Sequence, residues 1–352
     1  MVTAVFAIPG DITLPTGGYA YDREVLARLP ATGIEIAHLA LPGGYPDPSG
    51  AELARSAEQI ANTPRDAVLL IDGLAYGAMP SALIERFDRR IVALVHHPLC
   101  LEAGVPPARA ETLRARETQA LAMAHRVVVT SPLTARTLVA DFGVPADLIT
   151  VAEPGTEPAQ RAKGSRGEAA ALLAVGSIVP RKGYDVLVEA LAMDARAHDP
   201  DWRLDIVGAI DRSPPTVDAL RAQIRQSGLA ERIDVTGPKS RTELDGCYDA
   251  ADIFVLASHY EGYGMVLAEA LARGLPIVTT TGGAAAETAP DDAALKVPPG
   301  DVHALQKALR RLIDDINLRK TLADAAWSAG QKLPRWSDTA ATIAEVLKEA
   351  RK

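Results

Sequence analysis

The stretch SHYEGYGMVLAEALARGLPIV, residues 258–278, predicts the layout of the second half of the chain. An apolar run at 252–258 leads into it and is typical of a buried strand, while the glycine-rich turn is followed by a helix-forming segment. Gly274 should end that helix, because glycine readily takes the left-handed conformation just past a helix end. The apolar run at 275–281 predicts a second strand, so the order is that of a βαβ unit with parallel strands.

The same alternation runs through the whole chain. Strands are predicted at 2–8, 34–41, 67–73, 91–97, 126–131 and 148–154, and again at 171–177, 202–209, 232–237, 252–258, 275–281 and 294–299. They are apolar on both faces, as buried parallel strands are. The polar segment 155–169 between the two sets is rich in Gly and Pro and reads as a linker.

The predicted fold is therefore α/β, with two Rossmann-like, doubly wound parallel-sheet domains. We place the domains at 1–160 and 161–335, and a last helix at 336–352. Two such domains facing each other would leave a central cleft at the carboxyl ends of their strands, where ligands of these sheets bind.

Composition narrows the class of protein further. A chain of 352 residues fits two domains, and its net charge of −8 argues against nucleic-acid binding and against more than peripheral membrane contact. Residues 1–160 hold 12 arginines, no lysine and 18 acidic residues. Two cysteines far apart in sequence, no signal peptide and no long apolar run predict a soluble cytoplasmic protein.

Familiar cofactor and nucleophile motifs are absent from the sequence. No GxGxxG opens the first βαβ unit, and neither a GxxxxGK[ST] phosphate loop nor a GxSxG elbow occurs. The string Asp199-Pro200-Asp201 precedes a predicted strand and reads as a turn. We therefore expect no organic cofactor and no essential metal.

Two glutamates flank the predicted start of the helix in the opening stretch. Free backbone N–H groups and the helix dipole near Gly264 and Met265 would suit a phosphate. Glu261 in the turn and Glu269 in the helix can accept hydrogen bonds from hydroxyl groups on either side of that phosphate. A phosphate between two polyols outlines a sugar nucleotide; a surface loop with an exposed glutamate is the alternative.

A second turn carries two cations. Residues 174–191 place a strand end at Gly176–Ser177, then Arg181 and Lys182, then a helix. Cations at a strand-to-helix turn can neutralise a diphosphate. A solvated basic turn is the alternative.

Both segments, in this order, resemble the retaining glycosyltransferases of family 4, also called glycosyl transferases group 1, which have the GT-B fold. The family has the string V-G-x-x-x-P-x-K-G, which this chain matches at Val175, Gly176, Pro180, Lys182 and Gly183. It also has S-x-x-E-G-x-G, matched at Ser258, Glu261, Gly262 and Gly264, and a second Glu in the helix that follows, matched at Glu269. Its string G-x-P-[IV]-[VI] is matched at Gly274, Pro276, Ile277 and Val278. A Gly-Gly pair follows at 282–283, as in the family. The resemblance covers essentially all of residues 170–300.

The resemblance implies roles for the matched residues. It assigns Glu261 to hydroxyls of the donor sugar, Glu269 to the ribose of the nucleotide and Lys182 to the diphosphate. The backbone amides expected to hold sugar and phosphate are those of Gly262, Tyr263, Gly264, Met265 and Val266. Many family members have an arginine where this chain has Ser177. Arg181 is the substitute candidate, provided that its turn points it inward.

In the N-terminal domain the resemblance draws attention to a glycine pair and a histidine pair. Gly17-Gly18, between the first strand and first helix, would lie near donor phosphate or acceptor; a tight turn that needs a positive φ is the alternative. His97, rather than His96, would contact the donor sugar. A structural histidine is the alternative, and metal binding is not expected because we predict no third ligand nearby. Other residues at strand ends that could shape an acceptor pocket are Tyr45, Asp72 and Tyr76.

The implied activity is that of a retaining hexosyltransferase (EC 2.4). It would move a sugar from a nucleoside diphosphate sugar, UDP- or GDP-linked, to an unknown acceptor: a saccharide, a small molecule or a lipid-linked group. The last helix would return to the N-terminal domain, as in this fold. The rivals are a sugar-nucleotide 2-epimerase of the same fold and a non-catalytic partner that binds sugar nucleotides.

Overall fold

The computed structural model describes residues 2–102, 104–165, 167, 169–193 and 202–351. Asp199 and Asp201, predicted to lie in a turn, fall outside these residues, as do two positions of the predicted linker. Within the described ranges, no helix is both long enough and apolar enough to cross a membrane.

The chain forms two compact units. Unit 1 comprises Met1–Gly155 and Pro334–Lys352, and unit 2 comprises Thr156–Leu333. The predicted boundaries, after residues 160 and 335, stand a few residues later than these. The reason is close packing in unit 1: a Cβ on Gly155 would lie 2.1 Å from the backbone nitrogen of Trp336, so the two chain segments meet backbone to backbone.

Unit 1 is built on a six-stranded parallel sheet whose strand order is β2-β1-β3-β4-β5-β6. Its strands are β1 (Val2–Pro9), β2 (Ile34–Leu41), β3 (Val68–Asp72), β4 (Ile91–Val95), β5 (Arg126–Val129) and β6 (Ile149–Val151). The central strands β3 and β4 are buried along their whole length, whereas the edge strand β2 has exposed residues. The order reverses between β1 and β3.

Unit 2 has its own six-stranded parallel sheet, in the order β12-β11-β10-β7-β8-β9. Its strands are β7 (Ala170–Val175), β8 (Trp202–Val207), β9 (Ile233–Thr236), β10 (Ile253–Leu256), β11 (Ile277–Thr280) and β12 (Ala294–Val297). Here the order reverses between β7 and β10. In open α/β sheets, ligands bind beside the carboxyl ends of the two strands at such a switch point.

Helices connect and cover the strands. In unit 1 they are α1 (Gly17–Arg28), α2 (Gly50–Ala61), α3 (Gly73–Tyr76), α4 (Ser81–Ile84), α5 (Pro107–Leu121) and α6 (Pro132–Phe142), joined by the last helix, α14 (Trp336–Arg351). In unit 2 they are α7 (Tyr184–Ala192), α8 (Pro214–Gln226), α9 (Arg241–Ala250), α10 (Met265–Ala272), α11 (Ala285–Thr288), α12 (Val302–Asp314) and α13 (Ile316–Gly330). Helix α14 packs on α1, where the rings of Trp336 and Tyr21 meet edge to face at 5.6 Å.

The start of α1 differs from the prediction. Gly17 and Gly18 are the first residues of the helix rather than a loop before it, because Thr16 caps the helix by accepting a hydrogen bond from the amide of Tyr19. Neither glycine has a positive φ, so the tight-turn alternative is wrong.

Candidate functional site

In unit 2 the switch point is formed by the turns after β7 and β10. After β7 the chain makes a 3-10 turn at Pro180–Lys182, which ends at Gly183 with φ +61°. A Cβ there would lie 2.3 Å from the carbonyl oxygen of Ala257, so only glycine lets the two turns approach this closely. The amide of His259 donates to the carbonyl of Arg181 over 2.8 Å, which joins the two turns directly.

The charged side chains of the two turns meet at Glu261. Lys182 Nζ donates to Glu261 Oε1 over 2.6 Å, and the hydroxyl of Ser258 donates to the same oxygen over 2.5 Å. Arg181 lies 3.3 Å from Oε2 of the same carboxylate and donates to the carbonyl of Tyr260 over 2.7 Å. The turn therefore points Arg181 inward, the condition on which its role as substitute cation depended.

This cluster places two cations around one carboxylate in a buried position. Glu261 is 6% exposed and Lys182 9%. Burial raises the pKa of Glu261, but Lys182 and Arg181 outweigh it and hold that pKa at about 2. Two cations thus lie against one ionised carboxylate, and such a pair of cations suits a phosphate ligand, to which both can donate charge-assisted hydrogen bonds.

Glycines position both charged partners. A Cβ on Gly176, whose φ is +152°, would lie 3.0 Å from Cε of Lys182. On the other side, the carbonyl of Glu261 accepts from the amide of Ala284 over 2.8 Å, and a Cβ on Gly283 would lie 2.3 Å from that carbonyl oxygen. The Gly282–Gly283 pair thus fixes the backbone of Glu261 against β11.

Helix α10 begins at Met265, four residues after Glu261 in the chain. Gly264 precedes the helix with φ +91° and has no side chain to cap it. The amides of Met265 and Val266 belong to the first helical turn, where the helix itself supplies no carbonyl acceptors. Tyr263 is buried, and its carbonyl accepts from the Thr288 hydroxyl over 2.5 Å. These contacts fix the loop that precedes the amides.

Glu269 projects from α10 into a different environment. Its Oε2 accepts a hydrogen bond from the buried phenol of Tyr248 over 2.8 Å. Burial raises the pKa of Glu269, whereas the Tyr248 hydrogen bond and the charge of Arg273 lower it in part. Sequence reasoning did not find Tyr248 or Arg273, because they lie on α9 and just past α10 and match no motif.

The switch point of unit 1 holds a second buried cluster, with the opposite charge balance. Nε2 of His96, just after β4, lies 3.2 Å from Asp22 Oδ1 and 3.4 Å from Asp72 Oδ2. Asp22 lies on α1 and Asp72 ends β3; both are buried, and Asp22 Oδ2 has no hydrogen-bond partner among the described residues. Gly18 packs against the ring, since a Cβ there would lie 3.5 Å from His96 Cδ2.

The two carboxylates determine the charge of His96. Burial lowers the pKa of His96, but Asp22 and Asp72 outweigh it and raise the pKa to about 10. Burial and the neighbouring Asp72 raise the pKa of Asp22 to about 7. The cluster therefore holds a proton tightly and has no excess positive charge.

Several predictions for unit 1 change with this geometry. His97 bonds through Nε2 to Glu102 Oε2 over 2.9 Å, whereas it is the ring of His96 that lies beside Gly18 at the start of α1. The argument that no third ligand lies near the histidines is wrong: ligand atoms of Asp22, Asp72 and His96 lie within 4.8 Å of one another. The expected absence of a metal stays a prediction.

Two tyrosines named for a pocket belong to the core instead. The hydroxyl of Tyr45 donates to Ser56 Oγ over 2.9 Å, and that of Tyr76 donates to the carbonyl of Ala120 over 2.8 Å. Both side chains are buried in the main hydrophobic cluster of unit 1. They stabilise the unit rather than line a pocket.

Comparison with known structures defines the class of fold. The chain superposes on the sucrose-phosphate synthase of Thermosynechococcus elongatus with a TM-score of 0.83 over 98% of both chains, at 21% identity. It also superposes on Anabaena HepE in complex with UDP-glucose, with a TM-score of 0.76 over 98% of this chain and 99% of that one, at 18% identity. With its two parallel sheets, the chain has the GT-B fold.

Sequence comparison adds the family. The model of the family described as glycosyl transferases group 1 matches residues 156–328. The D-inositol 3-phosphate glycosyltransferase of Xylanimonas cellulosilytica is 30% identical over 290 residues, which cover 76% of this chain and 68% of that protein. The chain belongs to the glycosyl transferases group 1. It spans 60% and 58% of the length of two further inositol phosphate glycosyltransferases.

Proposed function

We propose that the protein transfers a sugar from a nucleoside diphosphate sugar to a hydroxyl group of an acceptor, with retention of the anomeric configuration. The observation that carries this proposal is the buried cluster of Glu261, Lys182 and Arg181 at the β7/β10 switch point. Its two cations, together with the N-terminus of α10, suit a diphosphate flanked by sugar and ribose.

Each side chain of the cluster has a role in this reaction. Lys182 and Arg181 would stabilise the negative charge that develops on the leaving diphosphate, together with the amides of Met265 and Val266. Glu261 would accept hydrogen bonds from the donor sugar, and Glu269 from the ribose. Ser177 follows Gly176 directly at the end of β7, and we assign it to the donor side as well.

The environment of Glu261 favours one course for the bond changes. Both its oxygens are engaged by cations or by Ser258, and its pKa is about 2, so it is a poor base and a poor nucleophile. We therefore propose attack on the face from which the diphosphate leaves. The bond from the anomeric carbon to the diphosphate oxygen breaks, the bond to the acceptor oxygen forms, and the acceptor proton passes to a phosphate oxygen.

A structural neighbour supports the donor class that we propose, and the acceptor stays open. The Anabaena protein is described with UDP-glucose, which supports a UDP-linked donor here, with GDP-linked sugars as the alternative. Since cations and amides can neutralise the diphosphate, we propose that the reaction needs no metal. Turnover should then survive excess EDTA.

The proposal is tested by thermal unfolding with UDP, GDP and ADP and their common sugar conjugates. A ligand at 100 times its Kd adds about 2.7 kcal/mol of stability, which raises the Tm by a few degrees. One nucleotide should stand out, and Lys182→Ala should lose that shift. No shift with any nucleotide would refute the proposal. Conversion of the donor without an acceptor would favour the 2-epimerase instead.

A further inference from the structure

We propose that Tyr248 is a positioning residue for the donor: its phenol holds one oxygen of Glu269 so that the other binds the ribose. This inference rests on the proposed function, because it needs a nucleotide on Glu269. Tyr248 lies outside the turns that match the family strings, and its contact with Oε2 leaves Oε1 of Glu269 for the ligand.

The phenol of Tyr248 is held rigidly. Its side chain is fully buried on α9, and its ring stacks on Phe254 of β10 with centroids 5.8 Å apart and an angle of 23°. The guanidinium of Arg273 lies 4.4 Å from the ring centroid. A ring with a cation on it and a second ring stacked against it has little freedom to turn, so its hydroxyl is a fixed donor.

Arg273 ties this ring to the helix that carries Glu269. It donates to the backbone carbonyl of Glu269 over 2.9 Å, and it forms an ion pair with Asp245, one turn before Tyr248 on α9. Only 7% of Arg273 is exposed. The same cation therefore contacts both the phenol ring and the backbone of the residue that the phenol positions.

The hydrogen bond from Tyr248 has two consequences for Glu269. The Tyr248 hydroxyl donates to Oε2 over 2.8 Å, so Oε1 would accept the hydrogen bond from a ribose hydroxyl. It also favours the ionised carboxylate, because burial raises the pKa of Glu269 whereas the Tyr248 hydrogen bond lowers it. Without the hydroxyl, the carboxylate would rotate more freely and bind a proton at higher pH.

The experiment is calorimetric titration of the full-length protein. The probes are whichever of UDP, GDP and ADP binds best and its 2′,3′-dideoxy counterpart, which lacks the ribose hydroxyls. Wild type should prefer the ribonucleotide by about tenfold, the value of a hydrogen bond to a charged group. Tyr248→Phe should lose most of that preference by weakening the ribonucleotide alone. Its affinity should also decline at a higher pH than that of wild type as the solution is acidified.

Two further variants separate positioning from stability. Tyr76→Phe removes an equally buried hydroxyl in unit 1, which donates to the carbonyl of Ala120. It should lower the Tm and leave the ribo-to-dideoxy ratio and the pH profile unchanged. Glu269→Gln should abolish the preference, and adding Tyr248→Phe to it should change the ratio no further, since both act on one interaction.

The outcomes distinguish the inference from the function on which it rests. An unchanged ratio and pH profile in Tyr248→Phe, or equal weakening of both nucleotides, would overturn the positioning role and leave sugar transfer standing. Equal binding of both probes by wild type would show that Glu269 does not bind the ribose hydroxyls, and it would overturn the inference in the same way. Failure of wild type to bind any of the three nucleotides would overturn the proposed function as well.

Discussion

Each unit places a buried charged cluster at the switch point of its own sheet, and the two clusters have opposite charge balance. In unit 2, two cations surround one carboxylate, Glu261. In unit 1, two carboxylates, Asp22 and Asp72, share one ring nitrogen of His96. The first cluster presents two cations, which suit an anionic ligand, whereas the second retains a proton.

This difference shows that the same position in similar sheets can serve different chemistry. The fold supplies the place, the carboxyl ends of two strands at a reversal of order. The side chains supply the charge, and the charge selects the ligand. Under the proposed function, the diphosphate therefore binds in unit 2.

Removal of Lys182 should have the largest effect. Lys182→Ala deletes a cation assigned to the diphosphate and leaves Glu261 with Arg181 and Ser258, so turnover should fall about a thousandfold. Steady-state kinetics with saturating donor measures it. The control is Lys163→Ala, because Lys163 also pairs with a carboxylate, Asp249, over 2.8 Å, but is exposed. Near-normal turnover of Lys182→Ala would show that the diphosphate does not bind at this cluster.

Displacement of the Lys182 side chain should reduce turnover less than its removal does. In Gly176→Ala the new Cβ would lie 3.0 Å from Cε of Lys182 and push the amine away from Glu261. We expect turnover to fall about a hundredfold, because small misplacements of a catalytic group have effects of that order. Gly237→Ala is the control, since a Cβ there meets nothing within 4 Å. Equal kinetics of the two variants would contradict the close fit.

Arg181 should contribute less than Lys182. Arg181→Gln removes the second cation but leaves the 2.6 Å contact between Lys182 and Glu261, so we expect a loss of about tenfold in kcat/KM for the donor. Arg161→Gln, at an exposed arginine paired with Asp324, is the matched control. A loss as large as that of Lys182→Ala would mean that Arg181 is the principal diphosphate cation.

In unit 1 the smallest effect is expected, on the pH dependence of stability. Folding raises the pKa of Asp22 from 3.8 to about 7 and that of His96 from 6.5 to about 10. Each raised pKa contributes stability at low pH, and this stability is lost as the pH rises from the unfolded pKa through the folded one. Asp22→Asn cannot ionise and also lowers the pKa of His96. Its Tm should therefore fall less than that of wild type, by a few degrees, between pH 4 and 10.

Thermal unfolding across this pH range measures the effect, with the exposed Asp147→Asn as a control. Parallel Tm profiles of wild type and Asp22→Asn would show that the cluster does not retain its proton. The nucleotide-induced Tm shift should be the same in Asp22→Asn as in wild type. A lost shift would place part of the nucleotide site in unit 1 and weaken the comparison.

Local features were predictable from the sequence with few errors. All twelve predicted strands are present within a few residues of their predicted bounds, because apolar runs between turn residues are a local signal. The start of α1 was missed because the Thr16 cap precedes two glycines, which favour a loop by composition. The sequence could not distinguish His96 from His97, because the directions of two adjacent side chains are set by packing that no local pattern encodes.

The sequence by itself determined the two sets of βαβ units, the linker region and the glycines and charged residues of the turns, since these follow from short-range pattern. Tertiary structure decided which of those residues meet. Lys182 and Glu261 are 79 residues apart, and His96 and Asp22 are 74 apart. They meet only because the sheet order places β7 beside β10, and β1 beside β3 and then β4. Strand order depends on packing across the whole unit, which no local pattern encodes.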